Sequence, residues 1–102
     1  MKGGAVYILA NKRNGTLYIG VTSNLVTRIA QHRSGEVPGF SQRYGTKALV
    51  YYEAYDDISE AILREKRLKK WNRSWKIELI EGDNPQWRDL YDQITGFPLS
   101  RE

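Results

Sequence analysis

The chain contains no cysteine and only one histidine in 102 residues. The first absence excludes disulfides and thiolate metal sites, and it suits a reducing cytoplasm. There is no apolar run long enough to span a bilayer, and MKGGAVYILANKRNG offers too short an apolar stretch for a signal peptide. Repeats, low-complexity tracts and long linkers are also lacking. The expectation is one domain over residues 1–102, cytoplasmic and without membrane association.

What the chain does have is tyrosine and positive charge. Sixteen Lys and Arg stand against twelve Asp and Glu, a formal charge of +4, and such a balance favours a polyanionic partner. Ala5 to Ala10 and Leu17 to Val21 read as two strands of a hairpin closed at Asn14-Gly15, a pair that can take positive φ at both positions. Ser23 or Asn24 can cap a helix with Leu25, Val26, Ile29 and Ala30 on one side, stopped by Gly35. A loop follows from Glu36 to Thr46, marked by Pro38, Gly39 and Gly45. Ala48 to Tyr55 (ALVYYEAY) is a third strand, rich in β-formers.

Asp57 and Glu60 resemble a capping box opening a helix to about Trp71. WKIELI, Trp75 to Ile80, alternates like a strand but sits among helix formers and is assigned as helix, ended by Gly82. Asn84-Pro85 then starts a C-terminal helical extension over about residues 83–96, with Trp87, Leu90, Tyr91 and Ile94 as its apolar stripe.

A two-residue hairpin loop would pair Arg13 with Thr16, Asn11 with Tyr18, Leu9 with Gly20 and Tyr7 with Thr22. Side chains alternate along a strand, so Val6, Ile8, Ala10, Leu17, Ile19 and Val21 share an apolar face. Tyr7 and Tyr18 share the other face with Gly20, where a missing side chain lets a ligand or another chain approach the backbone. Strand tyrosines also pack under covering helices in ordinary cores.

In the helix after Asp57 the apolar stripe is Ile58, Ala61, Ile62 and Leu68, and Glu65 falls in the middle of it. A carboxylate there is costly unless it is paired with an arginine or holds a hard cation. Asn72, seven residues on, returns to the same side. Arg28 and His32 are i and i+4 neighbours on the first helix, an arrangement that fits phosphate recognition or any solvated face. REKRLKKWNRSWK, Arg64 to Lys76, is either a solvated helix surface or a place for a phosphate backbone to lie.

These residues together resemble the GIY-YIG nuclease family. Ala5-Val6-Tyr7 stands in place of the Gly-Ile-Tyr element, and Tyr18-Ile19-Gly20 is an intact YIG. Arg28, His32, Glu65 and Asn72 match the family's arginine, its frequent histidine, its metal-binding glutamate and a later asparagine. The resemblance covers about residues 5–80 and is closest to the short stand-alone bacterial members. It implies an α+β fold, a three-stranded antiparallel sheet flanked by helices.

It also implies a metal-dependent endonuclease that hydrolyses phosphodiester bonds in DNA, structure-directed or of low specificity, with RNA as an alternative substrate. Glu65 would hold Mg²⁺, with Mn²⁺ as an alternative, and Arg28 would bind the scissile phosphate. Tyr7 would act as general base, its phenol lowered from the usual pKa of about 10 by Arg28 or the metal. Tyr18 would position the water, His32 would share the proton or hold Tyr7, and Asn72 would orient Glu65 or a water. Gly20 would leave room for a phosphate, and Lys66, Lys69, Lys70 and Arg73 would hold the nucleic-acid backbone. The chain would act as a monomer or with a protein partner that supplies specificity. The competing reading is a non-catalytic basic nucleic-acid-binding module on the same fold. Glu65 weighs against it, since binding alone needs no carboxylate there.

Overall fold

Three antiparallel strands form the sheet in the computed structural model, which describes residues 3–37, 39 and 44–95. They are β1 (Gly4–Ala10), β2 (Leu17–Thr22) and β3 (Ala48–Tyr55), in the order β2-β1-β3. Helix α1 (Leu25–Arg33) separates β2 from β3, and α2 (Ile58–Lys70), α3 (Arg73–Asp83) and the short α4 (Tyr91–Thr95) follow. The fold is α+β, as expected. Pro38 in the expected loop and Gly96 at the end of the expected extension lie outside the described residues.

The hairpin register differs from the expected one by two residues. Tyr7 stands opposite Gly20, and Leu9 opposite Tyr18. The loop has four residues, Lys12 to Gly15, rather than two. Gly15 N–H donates to Lys12 O at 2.9 Å, Thr16 N–H donates to Asn11 Oδ1 at 2.9 Å, and only Asn14 takes positive φ, at 57°. This wider loop turns the carbonyls of Asn14 and Gly15 towards α3, where the Arg73 guanidinium donates to both at 2.6 Å. An even shift keeps each side chain on its own face. The two tyrosines therefore still share a side of the sheet.

That side is a second core, with the strand tyrosines packed under a covering helix. Val6, Ile8, Ala10 and Ile19 pack with Ala61 and Leu68 of α2 and Ile80 of α3. Tyr7, Leu9 and Leu49 pack with Ile29 of α1, flanked by Leu90, Tyr91 and Ile94. A bulge lets one strand serve both layers. The β1–β3 register slips between Ile8 and Leu9, which leaves Val50 as an extra residue. Val50 and Tyr51 then both face the α2 side, while Leu49 and Tyr52 face the other.

Caps fix where the helices begin and end. Asn24, Asp57 and Asn72 accept backbone N–H bonds from Thr27, Ser59 and Trp75, each cap contributing about 1 kcal/mol. Asp57 uses Ser59, so the expected capping box with Glu60 is replaced by a simpler cap. Gly35, at φ 80°, ends α1, its N–H donating to His32 O while Glu36 N–H donates to Gln31 O. Gly82 does not end α3. The helix runs on to Asp83, and Asn84 caps it while its side chain donates to Val50 O and Arg88 O.

Nor does Asn84-Pro85 start a helix. Trp87 sits at φ 56°, where the chain turns, so the expected stripe is divided between the two cores. Trp87 enters the α2 side, whereas Leu90, Tyr91 and Ile94 enter the α1 side. Asp89 fixes this arrangement. Its carboxylate pairs with Arg33, accepts from Leu49 N–H at 3.2 Å, and accepts from Tyr91 N–H at 3.0 Å.

The new register gives Gly20 a structural duty. A Cβ on Gly20 would lie 2.4 Å from the Tyr7 hydroxyl oxygen and 2.5 Å from Cζ. Tyr7 is fully enclosed and has little room to move aside. Gly20→Ala should therefore destabilise the protein by about 1–3 kcal/mol, the range for overpacking a well-filled core. Urea unfolding checks this, and an unchanged midpoint would mean that the Tyr7 ring is not held over Gly20.

Candidate active site

Three aromatic rings meet above Gly20. Tyr7 comes from the central strand, Tyr18 from the edge strand and His32 from the last turn of α1. Because residue 20 has no side chain, the Tyr7 ring can lie across β2 and bring its hydroxyl beside His32. The Tyr7 oxygen and His32 Nε2 share a buried hydrogen bond of 3.0 Å. Ring centroids are 6.2 Å apart for Tyr7–Tyr18, 5.6 Å for Tyr7–His32 and 5.2 Å for Tyr18–His32. The room beside Gly20 thus holds a tyrosine ring rather than standing open.

Burial decides the protonation states. It pushes the Tyr7 phenol far above the ordinary tyrosine value. Tyr18 adds to the rise, Arg28 opposes it without cancelling it, and a hydrogen bond to Tyr18 and the charge of Glu65 push it further up. The expected lowering of Tyr7 therefore does not occur in the free protein, because desolvation outweighs the one nearby guanidinium. Burial also lowers His32, only 2% exposed, below the ordinary histidine range, and Arg28 lowers it further. At neutral pH the pair consists of a phenol and a neutral imidazole. A neutral imidazole has one donor nitrogen and one acceptor nitrogen.

Arg28 and Glu65 both act on the Tyr7 hydroxyl, from α1 and α2 respectively. Arg28 is half-buried and forms no ion pair among the described residues, which leaves its fork of donors available to an anion. The Glu65 side chain is 14% exposed, and its Oε2 lies 2.9 Å from Lys69 Nζ. Its partner is the lysine one turn on, not an arginine. Among the described residues no three of His, Cys, Asp and Glu gather into a metal cage. A single carboxylate suits an oxygen-seeking ion that keeps its waters and shares a phosphate, as Mg²⁺ commonly does.

Other expected residues stand elsewhere. Asn72 is exposed and caps α3, its Oδ1 accepting from Trp75 N–H at 2.9 Å and Ser74 Oγ–H at 3.0 Å. Arg73 is bonded to the hairpin loop, while Lys66 and Lys70 project into solvent. Lys69 lines a groove of about 280 Å³ with Leu17, Tyr18, Ile19 and Lys76. Lys76 was not singled out from the basic run, and only its helical phase relative to Arg73 hinted that it would face the hairpin.

The family model of the GIY-YIG catalytic domain matches residues 3–78. A UPF0213 protein of Clostridium perfringens is 40% identical over 90 residues, which cover 88% of this chain and 96% of that one. A UPF0213 protein of Staphylococcus haemolyticus is 38% identical over 76 residues, covering 74% and 92%. The solution NMR structure of the UPF0213 protein from Bacillus halodurans is similar at a TM-score of 0.55 and 27% identity, over 88% of this chain and 95% of that one. No helix among the described residues is long and apolar enough to cross a membrane. With its signature tyrosines on adjacent strands of the matching fold, the chain belongs to the GIY-YIG family of nucleases, and its relatives are UPF0213 proteins.

Proposed function

We propose that the protein is a divalent-metal-dependent endonuclease that hydrolyses phosphodiester bonds in DNA, structure-directed or of low specificity. The observation that carries this reading is the convergence on one hydroxyl. Tyr7 is hydrogen-bonded to a neutral histidine and lies within the fields of Arg28, which forms no ion pair among the described residues, and of the nearly buried Glu65. A binding module needs none of that arrangement.

In this reading Arg28 binds the scissile phosphate and the charge that grows on it. Tyr18 helps to hold the attacking water beside Tyr7. As water oxygen bonds to phosphorus, its proton passes to the Tyr7 oxygen, and the Tyr7 proton passes to His32 Nε2. The phosphorus–O3′ bond breaks, and the leaving oxygen gains its proton from solvent. The relay suits the electrostatics of the pair, since Tyr7 never has to exist as a free phenolate in a site that disfavours one. A divalent ion held by Glu65 and the substrate phosphate would supply Lewis acidity at the leaving oxygen. Lys66, Lys69 and Lys70 attract the DNA backbone, and Asn72 contributes by fixing the α2–α3 junction.

Cleavage of a labelled panel of single-stranded, duplex and branched DNA, with Mg²⁺ and then with EDTA, tests the reading. Glu65→Gln should abolish cleavage while the folded protein still binds DNA. Tyr7→Phe should slow single-turnover cleavage by about 10²–10⁴-fold, the usual worth of general base catalysis. Metal-independent retention of DNA without any nicking would instead identify a binding module.

The His32 shift sets a pH dependence. Its folded-state pKa lies below its unfolded value of about 6.5, so the unfolded chain takes up the proton first as pH falls. The stability linked to His32 is therefore fully present above that value and declines as pH drops below it. Unfolding free energies for the parent and His32→Gln between pH 5 and 8 should converge on the acid side. Parallel curves would contradict the assigned neutral state.

A further inference from the structure

We infer that Lys69 is a cation placeholder: it neutralises Glu65 until a divalent ion takes that carboxylate, then turns into the groove beside Tyr18 to hold substrate phosphate. This rests on the reading of Glu65 as a metal ligand. A carboxylate that is 14% exposed within an apolar stripe needs a positive partner. Among the described residues that partner is the Lys69 ammonium, on a side chain 55% exposed. A divalent ion and this ammonium compete for the same oxygens. The ammonium end of the pair is exposed, so the lysine returns readily to water when another cation takes its place.

The displaced ammonium has a destination. Lys69 also lines the groove formed by Leu17, Tyr18, Ile19 and Lys76. Rotation about its flexible stem moves the charge from Glu65 towards Lys76, beside a ring of the tyrosine cluster. There two ammonium groups face a phosphate next to the reacting one. Metal entry thereby creates an anion site that the metal-free protein lacks. By linkage, substrate must in turn strengthen metal binding by the same factor.

Mg²⁺ titration of ¹⁵N-labelled protein, followed by amide NMR shifts without DNA, tests this directly. Lys69→Met should bind Mg²⁺ about two- to fivefold more tightly than the parent, the range expected for loss of a weak competing pair. Arg67→Met removes the same charge from the same helix, away from Glu65, and should leave the affinity near the parent value. In Tyr7→Phe protein, kept slow for binding measurements, Mg²⁺ should raise DNA affinity, and adding Lys69→Met should remove that gain. Equal Mg²⁺ affinities for Lys69→Met and Arg67→Met would overturn the placeholder while leaving Glu65 as a ligand. Failure of Glu65→Gln to remove the shifts would reject Glu65 as the ligand, and the placeholder with it.

Discussion

The buried hydrogen bond between Tyr7 and His32 depends on the emptiness of Gly20, and much else depends on that bond. With any side chain at residue 20, the Tyr7 ring could not cross the edge strand, and its hydroxyl would not reach α1. The four-residue hairpin loop is what sets Tyr7 opposite Gly20, and the loop's carbonyls are gripped by Arg73 from α3. A residue in the basic run thus holds the register of the hairpin that carries Tyr18 and Gly20. The Schellman ending of α1 at Gly35 and the Asp89 junction hold the helix that carries His32.

Enclosure explains the chemistry as well as the geometry. The sheet is covered on both faces, so Tyr7 and His32 sit where charge is disfavoured, and both rest neutral. A neutral phenol against a neutral imidazole is a poor base but a good relay, because a proton can move through it without creating an isolated phenolate. The permanent charges, Arg28, Glu65 and Lys69, stand around this neutral pair rather than in it. In the reaction we propose, charge would then be supplied at the phosphate, where it develops. Lys69 adds a way for the site to remain neutralised before substrate and metal arrive.

The sheet, helices α1 and α2 and the cluster of Tyr7, Tyr18, Arg28, His32 and Glu65 were legible in the sequence. Strict alternation in β1 and β2 placed Tyr7 and Tyr18 together even under the wrong register, because an error of two residues preserves faces. Glu65 announced itself by interrupting an apolar stripe. Other features were out of reach for local reasons. The Asn14-Gly15 pair favours a two-residue loop, and only Arg73, 58 residues after Gly15, selects the longer one. Burial of His32 was hidden as well, since it depends on how closely α1 closes over the tyrosine face of the sheet. Trp87 and its neighbours read as one stripe because a positive φ at tryptophan has no sequence signal.

The most direct test of this account is the titration of His32 itself, read from its ring ¹⁵N shifts in labelled protein. The account predicts a mainly neutral imidazole at pH 7.5–8, with Nδ1 protonated and Nε2 accepting from Tyr7. Its midpoint should lie below the ordinary histidine value of about 6.5, and in Tyr7→Phe the Nε2 shift should move as that bond is lost. A midpoint at or above 6.5, or an Nε2 that carries the proton at neutral pH, would contradict it.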